Sequence, residues 1–205
     1  MNQPTRTEPQ AINLDAAATT SDVSRSITSS ADTIASLGKH AEQIANICRT
    51  IVASLQSGNK LMTAGHGGSA AEALHMAEEL VGRFNLDRRP LPAIALTADP
   101  TLLTCIANDY GFASIFPRQV EAHTAEGDIL VIFSTSGNGE GLLKAAEIAQ
   151  QKSATVIGFL GKGGGQIATR CDHALIVDSN ETARIQEAHQ LIMHIVLEAV
   201  DRAFA

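Results

Sequence analysis

From Gly58 onward the apolar residues fall into short, nearly continuous runs, separated by longer stretches in which they recur every three or four positions. The runs cover residues 60–65, 92–97, 128–135, 155–161 and 173–178, and each has the length and make-up of a strand. Ile129-Leu130-Val131-Ile132-Phe133 shows no alternation with polar residues, the mark of a strand covered on both faces and hence of a parallel sheet. The periodic segments between the runs are the covering helices. The pattern therefore predicts an α/β protein, a three-layer α/β/α sandwich on a five-stranded parallel sheet of flavodoxin-like winding.

Before Gly58 the period is helical. Val23, Ile27, Ile34 and Leu37, then Ile44, Ile47, Ile51 and Leu55, predict two helices joined around Gly38. They precede the first strand, so their apolar stripes are expected to pack across a subunit boundary. Residues 1–20 are polar, rich in Thr, Ala and Pro, and without period, which predicts a mobile tail ahead of a single domain over 21–205. The final periodic segment, from Thr182, has Ile185, Leu191, Ile192, Ile195, Val196 and Ala199 as its expected core stripe. Gln186, Glu187, His189, Gln190 and His194 are left over, and a histidine beside an apolar stripe is more often tolerated than catalytic.

Composition narrows the partners. With 44% hydrophobic but only 3% aromatic residues and no Trp, the core must be built from Ala, Ile, Leu and Val. A net charge of −7 offers no basic footprint for nucleic acid. Cys48, Cys105 and Cys171 are scattered without a CxxC pair and read as buried thiols of a reducing compartment. No apolar signal core and no long apolar run are present, so a cytoplasmic protein without membrane contact is expected.

In open parallel sheets ligands collect beyond the carboxyl ends of the strands, and two polar loops fall there. In the first, Gly65-His66-Gly67-Gly68 leads into a helix at Ser69, so that free backbone N–H groups at a positive helix end form an anion cradle. Ser69 with Glu72 has the spacing of a capping box. His75 and Glu79, four residues apart, put an imidazole and a carboxylate on one helix face. In the second loop, Ser134, Thr135 and Ser136 present three hydroxyls just ahead of a helix, which suits the oxygens of a phosphate monoester. Either loop alone is as well explained as a simple turn. Two in one sheet point to a phosphorylated small molecule, and the lack of a Walker lysine argues against a nucleoside triphosphate. A third loop, Gly161-Lys162-Gly163-Gly164-Gly165, reads as a plain connection.

Taken in order, Gly65-x-Gly-Gly-Ser69, His75-x-x-x-Glu79, Gly82-Arg83-Phe84, Leu91-Pro-Ala-Ile-Ala95, Asn108-Asp109-Tyr110-Gly111, Ser134-Thr-Ser-Gly-Asn138, and Ala183-Arg-Ile-Gln-Glu-x-His189 followed by His194 resemble the bacterial phosphoheptose isomerases of the sugar-isomerase (SIS) fold. The likeness runs from about Ser21 to the end of the chain. It implies interconversion of sedoheptulose 7-phosphate and D-glycero-D-manno-heptose 7-phosphate, the first step towards activated heptose for lipopolysaccharide or capsule. It also implies a homotetramer with active sites at subunit boundaries. By the same resemblance Glu79 is the general base and His194 the acid, and Ser134, Thr135 and Ser136 hold the phosphate. His66, Gly67, Gly68, Ser69, Glu79, Asn108, Asp109 and Gln186 contact the substrate, and His75, Glu79, Gln186 and His194 match positions that can bind one zinc ion.

Aldose–ketose interconversion needs a base to move a proton between neighbouring carbons and a second group to move protons among the oxygens, and a carboxylate with an imidazole can supply both. A zinc ligand role would lower the basicity of Glu79, so direct acid–base catalysis ranks first and a metal role second. The chain departs from the family at His66, where Asn is usual, and at Gly139, where a further phosphate-binding Ser is common. Some relatives keep the fold but serve as non-catalytic partners of the bacterial replication initiator. They tend to lose the catalytic histidine, which is present here. A phosphosugar-sensing regulator would need a DNA-binding segment, for which the N-terminal helices have too few Lys and Arg.

Overall fold

The computed structural model describes residues 18–205. Five strands, β1 (Leu61–Gly65), β2 (Ala93–Ala95), β3 (Ile129–Ser134), β4 (Thr155–Leu160) and β5 (His173–Ile176), form one sheet in the order β2-β1-β3-β4-β5. Every pairing is parallel, and Gly65 lies in register with Phe133. This is the flavodoxin-like order, in which the winding reverses between β1 and β3 and opens a crevice beyond their carboxyl ends.

Helices α1 (Thr20–Ser36), α2 (Ala41–Gln56), α3 (Gly68–Val81), α4 (Pro100–Tyr110), α5 (Pro117–His123), α6 (Glu140–Gln151) and α7 (Thr182–Phe204) complete the chain. Successive residues of a strand point to opposite faces. Leu61, Ile129, Val131 and Phe133 thus pack with Ile47 and Ile51 of α2, Met76 and Leu80 of α3, and Ile192 and Val196 of α7. Met62, Ala64, Leu130 and Ile132 pack with Ile106 of α4, Val120 of α5 and Leu142 and Ala146 of α6. Both faces are covered, which is why β3 reads as an unbroken apolar run.

Four expectations need correction or bounding. The stripe of α2, Ile44, Ile47, Ile51 and Leu55, is buried on the chain's own sheet rather than across a subunit boundary, whereas Val23 and Ile27 of α1 stay exposed. Residues 1–17 of the expected tail lie outside the described residues, while Thr20 already belongs to α1. That helix is started by a capping box in which the Asp22 N–H donates to Thr19 Oγ1 at 3.2 Å and the Thr19 N–H to Asp22 Oδ2 at 3.0 Å. On α7 the fully buried face is Ile185, Ala188, Ile192, Met193, Val196, Leu197 and Val200, whereas Leu191, Ile195 and Ala199 are half-buried along a groove shared with α1 and α2. Of the cysteines, Cys48 is buried but Cys105 is exposed on α4; Cys171 is half-buried, and burial pushes its thiol up to about 12.

The carboxyl ends of α3 and α7 are locked together by a buried ion pair. Asp201 Oδ1 accepts from Arg88 Nε at 3.0 Å, and Oδ2 accepts from the Asn85 and Leu86 N–H groups at 2.8 and 2.9 Å. Arg88 also donates to the carbonyls of Glu79 at 2.8 Å and Leu80 at 3.0 Å, so every charge is met by hydrogen bonds as well as by its partner.

Candidate active site

β1 ends at Gly65 and the chain turns through Gly67 into α3. The helix starts at Gly68, one residue earlier than the sequence pattern predicts, with no side-chain cap. Ser69 is buried within the first turn and the proposed capping box is absent. Its acidic half, Glu72, points instead into the contact with α7, where Glu72 Oε2 lies 3.7 Å from Nδ1 of the fully buried His189. The other ring nitrogen of His189 lies 3.2 Å from the Leu160 carbonyl oxygen. At Gly68 the start of α3 lies close to α7: a Cβ there would lie 2.4 Å from Gln186 Nε2.

A cavity of about 240 Å³ opens beyond β1 and β3. The β1–α3 turn contributes His66, Gly68 and Ser69, the β3–α6 loop contributes Ser134, Thr135, Ser136 and Gly139, and α7 contributes Thr182 and Gln186. Three helices, α3, α6 and α7, aim their N-termini at this space, and each brings a partial positive charge of about half a unit. The N–H groups of Glu140, Gly141 and Leu142, at the start of α6, find no acceptor among the described residues. Lys162 Nζ donates to Thr182 Oγ1 at 3.1 Å and adds a full charge at the rim. The cavity therefore has the make-up of an anion site, hydroxyls and helix ends.

The third glycine loop is more than a connection. Gln166 N–H donates to Asn138 Oδ1 at 3.1 Å and Ile167 N–H to the Gly137 carbonyl at 2.9 Å, so the loop braces the hydroxyl-bearing turn from behind. Contact is so close that a Cβ on Gly137 would lie 1.9 Å from the Gly164 carbonyl oxygen. The turn itself is closed by Ser134 Oγ, which accepts from the Gly137 N–H at 3.0 Å.

Farther along the α3–α7 contact stands a polar cluster. His75 Nε2 is 3.1 Å from Glu79 Oε1, the His75 and His194 rings meet edge to face at 5.5 Å, and Phe84 stacks on His194 at 5.4 Å. Gln190, a residue to which the sequence assigned no role, joins the two histidines: its Nε2 lies 2.7 Å from His75 Nδ1 and 3.0 Å from His194 Nε2. With the amide nitrogen so placed, both ring nitrogens accept, and the remaining His75 proton on Nε2 is donated to Glu79. The signal that could have found Gln190 is its position: Gln186, Gln190 and His194 recur every four residues, which puts them on one face of α7. Eight residues of helix separate Gln186 at the cavity from His194, a span of roughly 12 Å.

Asn108 and Asp109 do not join this site within one chain. They are exposed at the end of α4, and Asn108 Nδ2 donates to Asp109 Oδ1 at 2.7 Å. Gly67 is exposed at the turn and outside the cavity lining.

The donor set suits a metal ion in part. The 3.1 Å between His75 Nε2 and Glu79 Oε1 is close to the edge of a tetrahedron with zinc bonds of about 2.0–2.1 Å. Among the described residues, His75, Glu78 and Glu79 place one possible ligand atom each within 4.8 Å of one another, a group that shares His75 and Glu79 with the expected ligand set but has Glu78 in place of His194. Were His75 Nε2 and Glu79 to hold a metal ion, Gln190 would remain beside His75 Nδ1 as the residue that orients the ring.

Comparison with known proteins gives a consistent result. The SIS domain family model matches residues 26–161. A phosphoheptose isomerase of Citrifermentans bemidjiense is 50% identical over 165 residues, covering 80% of this chain and 86% of that protein. The structure of a phosphoheptose isomerase from Neisseria gonorrhoeae superposes with a TM-score of 0.84 at 35% identity, over 89% of this chain and 98% of that one. One from Francisella tularensis superposes with a TM-score of 0.86 at 35% identity, over 89% and 97%.

Proposed function

The chain belongs to the SIS-domain family of phosphoheptose isomerases and is a sugar-phosphate isomerase, and from that premise we propose that it interconverts sedoheptulose 7-phosphate and D-glycero-D-manno-heptose 7-phosphate. The observation that carries this reading is that one face of α7 serves both places: Gln186 lines the hydroxyl-lined cavity, and Gln190 and His194, four and eight residues on, stand in the cluster with His75 and Glu79. A phosphate held at one end leaves an extended sugar chain lying towards the carboxylate and imidazole at the other.

In this reading Ser134, Thr135 and Ser136 hold the phosphate, and Gly67, Gly68, Ser69 and Gln186 align the sugar. Glu79 removes a proton from C1 of the ketose while the C2 carbonyl oxygen is protonated, giving an enediol. His194 moves the proton between the oxygens, and Glu79 returns its proton to C2 as the aldehyde forms at C1. His75, Glu79 and His194, with Gln186, would hold a zinc ion, which when bound polarises the substrate oxygens. The presence and convergence of Glu79 and His194 favour an enzyme over a non-catalytic partner of the replication initiator.

The direct test is incubation with sedoheptulose 7-phosphate in deuterated water. Aldose formation with deuterium taken up at C2 is expected; aldose without any solvent label would rule out free exchange through Glu79, and no aldose would reject the substrate. Metal content before and after chelation, read with activity, separates a catalytic ion from an incidental one: full turnover in zinc-free protein removes zinc from the mechanism.

Gln190 is read as a positioning residue. Gln190→Leu should lower kcat by about 10–100-fold, with a smaller change in KM and in Tm. A loss confined to Tm would make it structural only.

A homotetramer with sites at subunit boundaries is part of the proposal. Its support is the apolar groove of about 540 Å³ between α1, α2 and α7, lined by Ile34, Leu37, Ile44, Cys48, Leu191 and Ile195, together with the 49% and 64% exposure of Val23 and Ile27. Asn108 and Asp109, exposed on α4, would then serve the cavity of a neighbouring copy.

A further inference from the structure

We propose that His66 and Gly139 act as one phosphate-binding element, in which the imidazole fills the space left by the missing side chain at 139 and donates an N–H to a phosphoryl oxygen. The inference rests on reading the hydroxyl-lined cavity as the phosphate site, and it assigns the two departures from the family pattern to a single cause.

The ring of His66 lines the cavity beside Ser134, Thr135 and Ser136. It lies against two phenyl rings, Phe112 at 5.3 Å and the buried Phe116 at 5.0 Å, which fix its plane and close off retreat into the core. A Cβ built on Gly139 would lie 3.4 Å from both Cε1 and Nδ1 of this ring and 3.3 Å from Leu142 Cδ1. One methyl group would touch the ring at the near edge of van der Waals contact and press on Leu142, and any larger side chain that extends towards residue 66 competes with the imidazole for the same volume.

Nothing in the backbone asks for glycine at 139. Its φ of −67° and ψ of 114° are open to any residue, and it sits at the N-cap of α6, where Ser, Thr or Asp would be favoured and where no side-chain cap is formed. The helix forgoes a cap, and what the chain gains is room for the ring.

Among the described residues neither ring nitrogen of His66 is committed to a hydrogen-bond partner, so either tautomer is open to it. Of the two, Nε2 is buried. The other nitrogen, Nδ1, lies on the side of residue 139, next to the start of α6 whose first N–H groups are free. A phosphoryl oxygen bound at that helix end would meet Nδ1–H and backbone N–H donors together. Burial lowers the pKa of His66, which disfavours the charged ring.

A double-mutant cycle on the full chain tests the coupling, with the Kd of inorganic phosphate by calorimetry and the KM for sedoheptulose 7-phosphate as readouts. His66→Asn and Gly139→Ser should each weaken phosphate binding by ~10-fold, the first because the shorter amide draws the donor back from the space beside residue 139 and the second by displacing the ring. The double variant should recover most of the loss, because the serine hydroxyl then occupies the vacated space; two independent changes would multiply to about 100-fold, so the cycle should be non-additive by roughly 30- to 100-fold. Gly139→Ala adds the crowding without a hydroxyl; it should weaken binding in the native background and gain nothing from His66→Asn. Effects that simply multiply, or a Gly139→Ser chain that binds phosphate as the native protein does, would overturn the coupling. Ser136→Ala in the same titration separates the two levels: if it leaves phosphate binding unchanged, the cavity is not the phosphate site and the underlying reading falls, whereas a weakened Ser136→Ala with an additive cycle removes the His66–Gly139 element alone.

Discussion

Glu79→Gln or His194→Gln should lower kcat by roughly 100- to 10,000-fold, the usual contribution of a positioned acid or base, while phosphosugar binding persists. Both replacements keep the local hydrogen bonds, although the second gives up the ring on which Phe84 stacks. A Gln at 79 still presents an oxygen that can accept from His75 Nε2, now 3.1 Å from Glu79 Oε1, and a Gln at 194 can still meet the Gln190 amide, which lies 3.0 Å from His194 Nε2. What each loses is a proton-transfer group. Initial rates of aldose formation and titration with phosphosugar give the two readouts, and native turnover in either variant rejects the assignment. The same positions would hold zinc, so metal content must be read alongside. His75→Ala removes a proposed ligand but neither the base nor the acid. If it costs as much turnover as Glu79→Gln, and zinc is lost in both, the metal rather than proton transfer carries the effect.

The second large effect is on stability. Removing one partner of the Arg88–Asp201 pair, by Arg88→Ala or Asp201→Ala, should cost about 3–5 kcal/mol, because the surviving charge is left in a site where the two side chains are 0% and 2% exposed. Urea or thermal unfolding at a fixed protein concentration measures it, since assembly would add a concentration dependence. A change below about 1 kcal/mol would mean that the pair behaves as a surface contact. The damage should also reach activity, because Arg88 donates to the Glu79 carbonyl at 2.8 Å and so holds the end of α3.

The pH dependence of this clamp has a defined sign. Burial works to raise the pKa of Asp201, but the N–H groups of Leu86 and Asn85 and the Arg88 guanidinium outweigh it and hold the carboxyl below its ordinary 3.8. The folded protein therefore binds fewer protons than the unfolded chain just below that pH, so the contribution is full above 3.8 and is lost as pH falls through the lower folded value. The stability gap between the native protein and Asp201→Asn should be flat from neutrality to near pH 3.8 and shrink only below it.

Strands were legible wherever burial on both faces erased alternation, as in Ile129–Phe133. The start of α3 was not. Ser69-x-x-Glu72 has the local spacing of a capping box, yet Gly67 lets the helix begin at Gly68, and contact with α7 draws Glu72 inward towards His189. The face of α7 was misjudged for a related reason. Leu191, Ile195 and Ala199 are as apolar as Met193, Leu197 and Val200, and periodicity cannot say which of two apolar sides meets the sheet when the other meets a groove. Exposure of Cys105 likewise depends on which side of α4 turns outward, which its thiol does not reveal.

By itself the sequence determined the local periods, and with them the layers, the parallel sheet and the polar loops at its carboxyl ends, because burial on two faces, helix spacing and glycine turns are properties of neighbouring residues. It also carried the motif order that marks the family. Tertiary structure alone decided that Gln190 would sit between His75, 115 residues earlier, and His194, and that the ring of His66 would press against Gly139. Those contacts depend on the order of β1 and β3 in the sheet and on how far α3 and α7 are rotated about their own axes. Both are set by the packing of whole faces, which no window of local sequence contains.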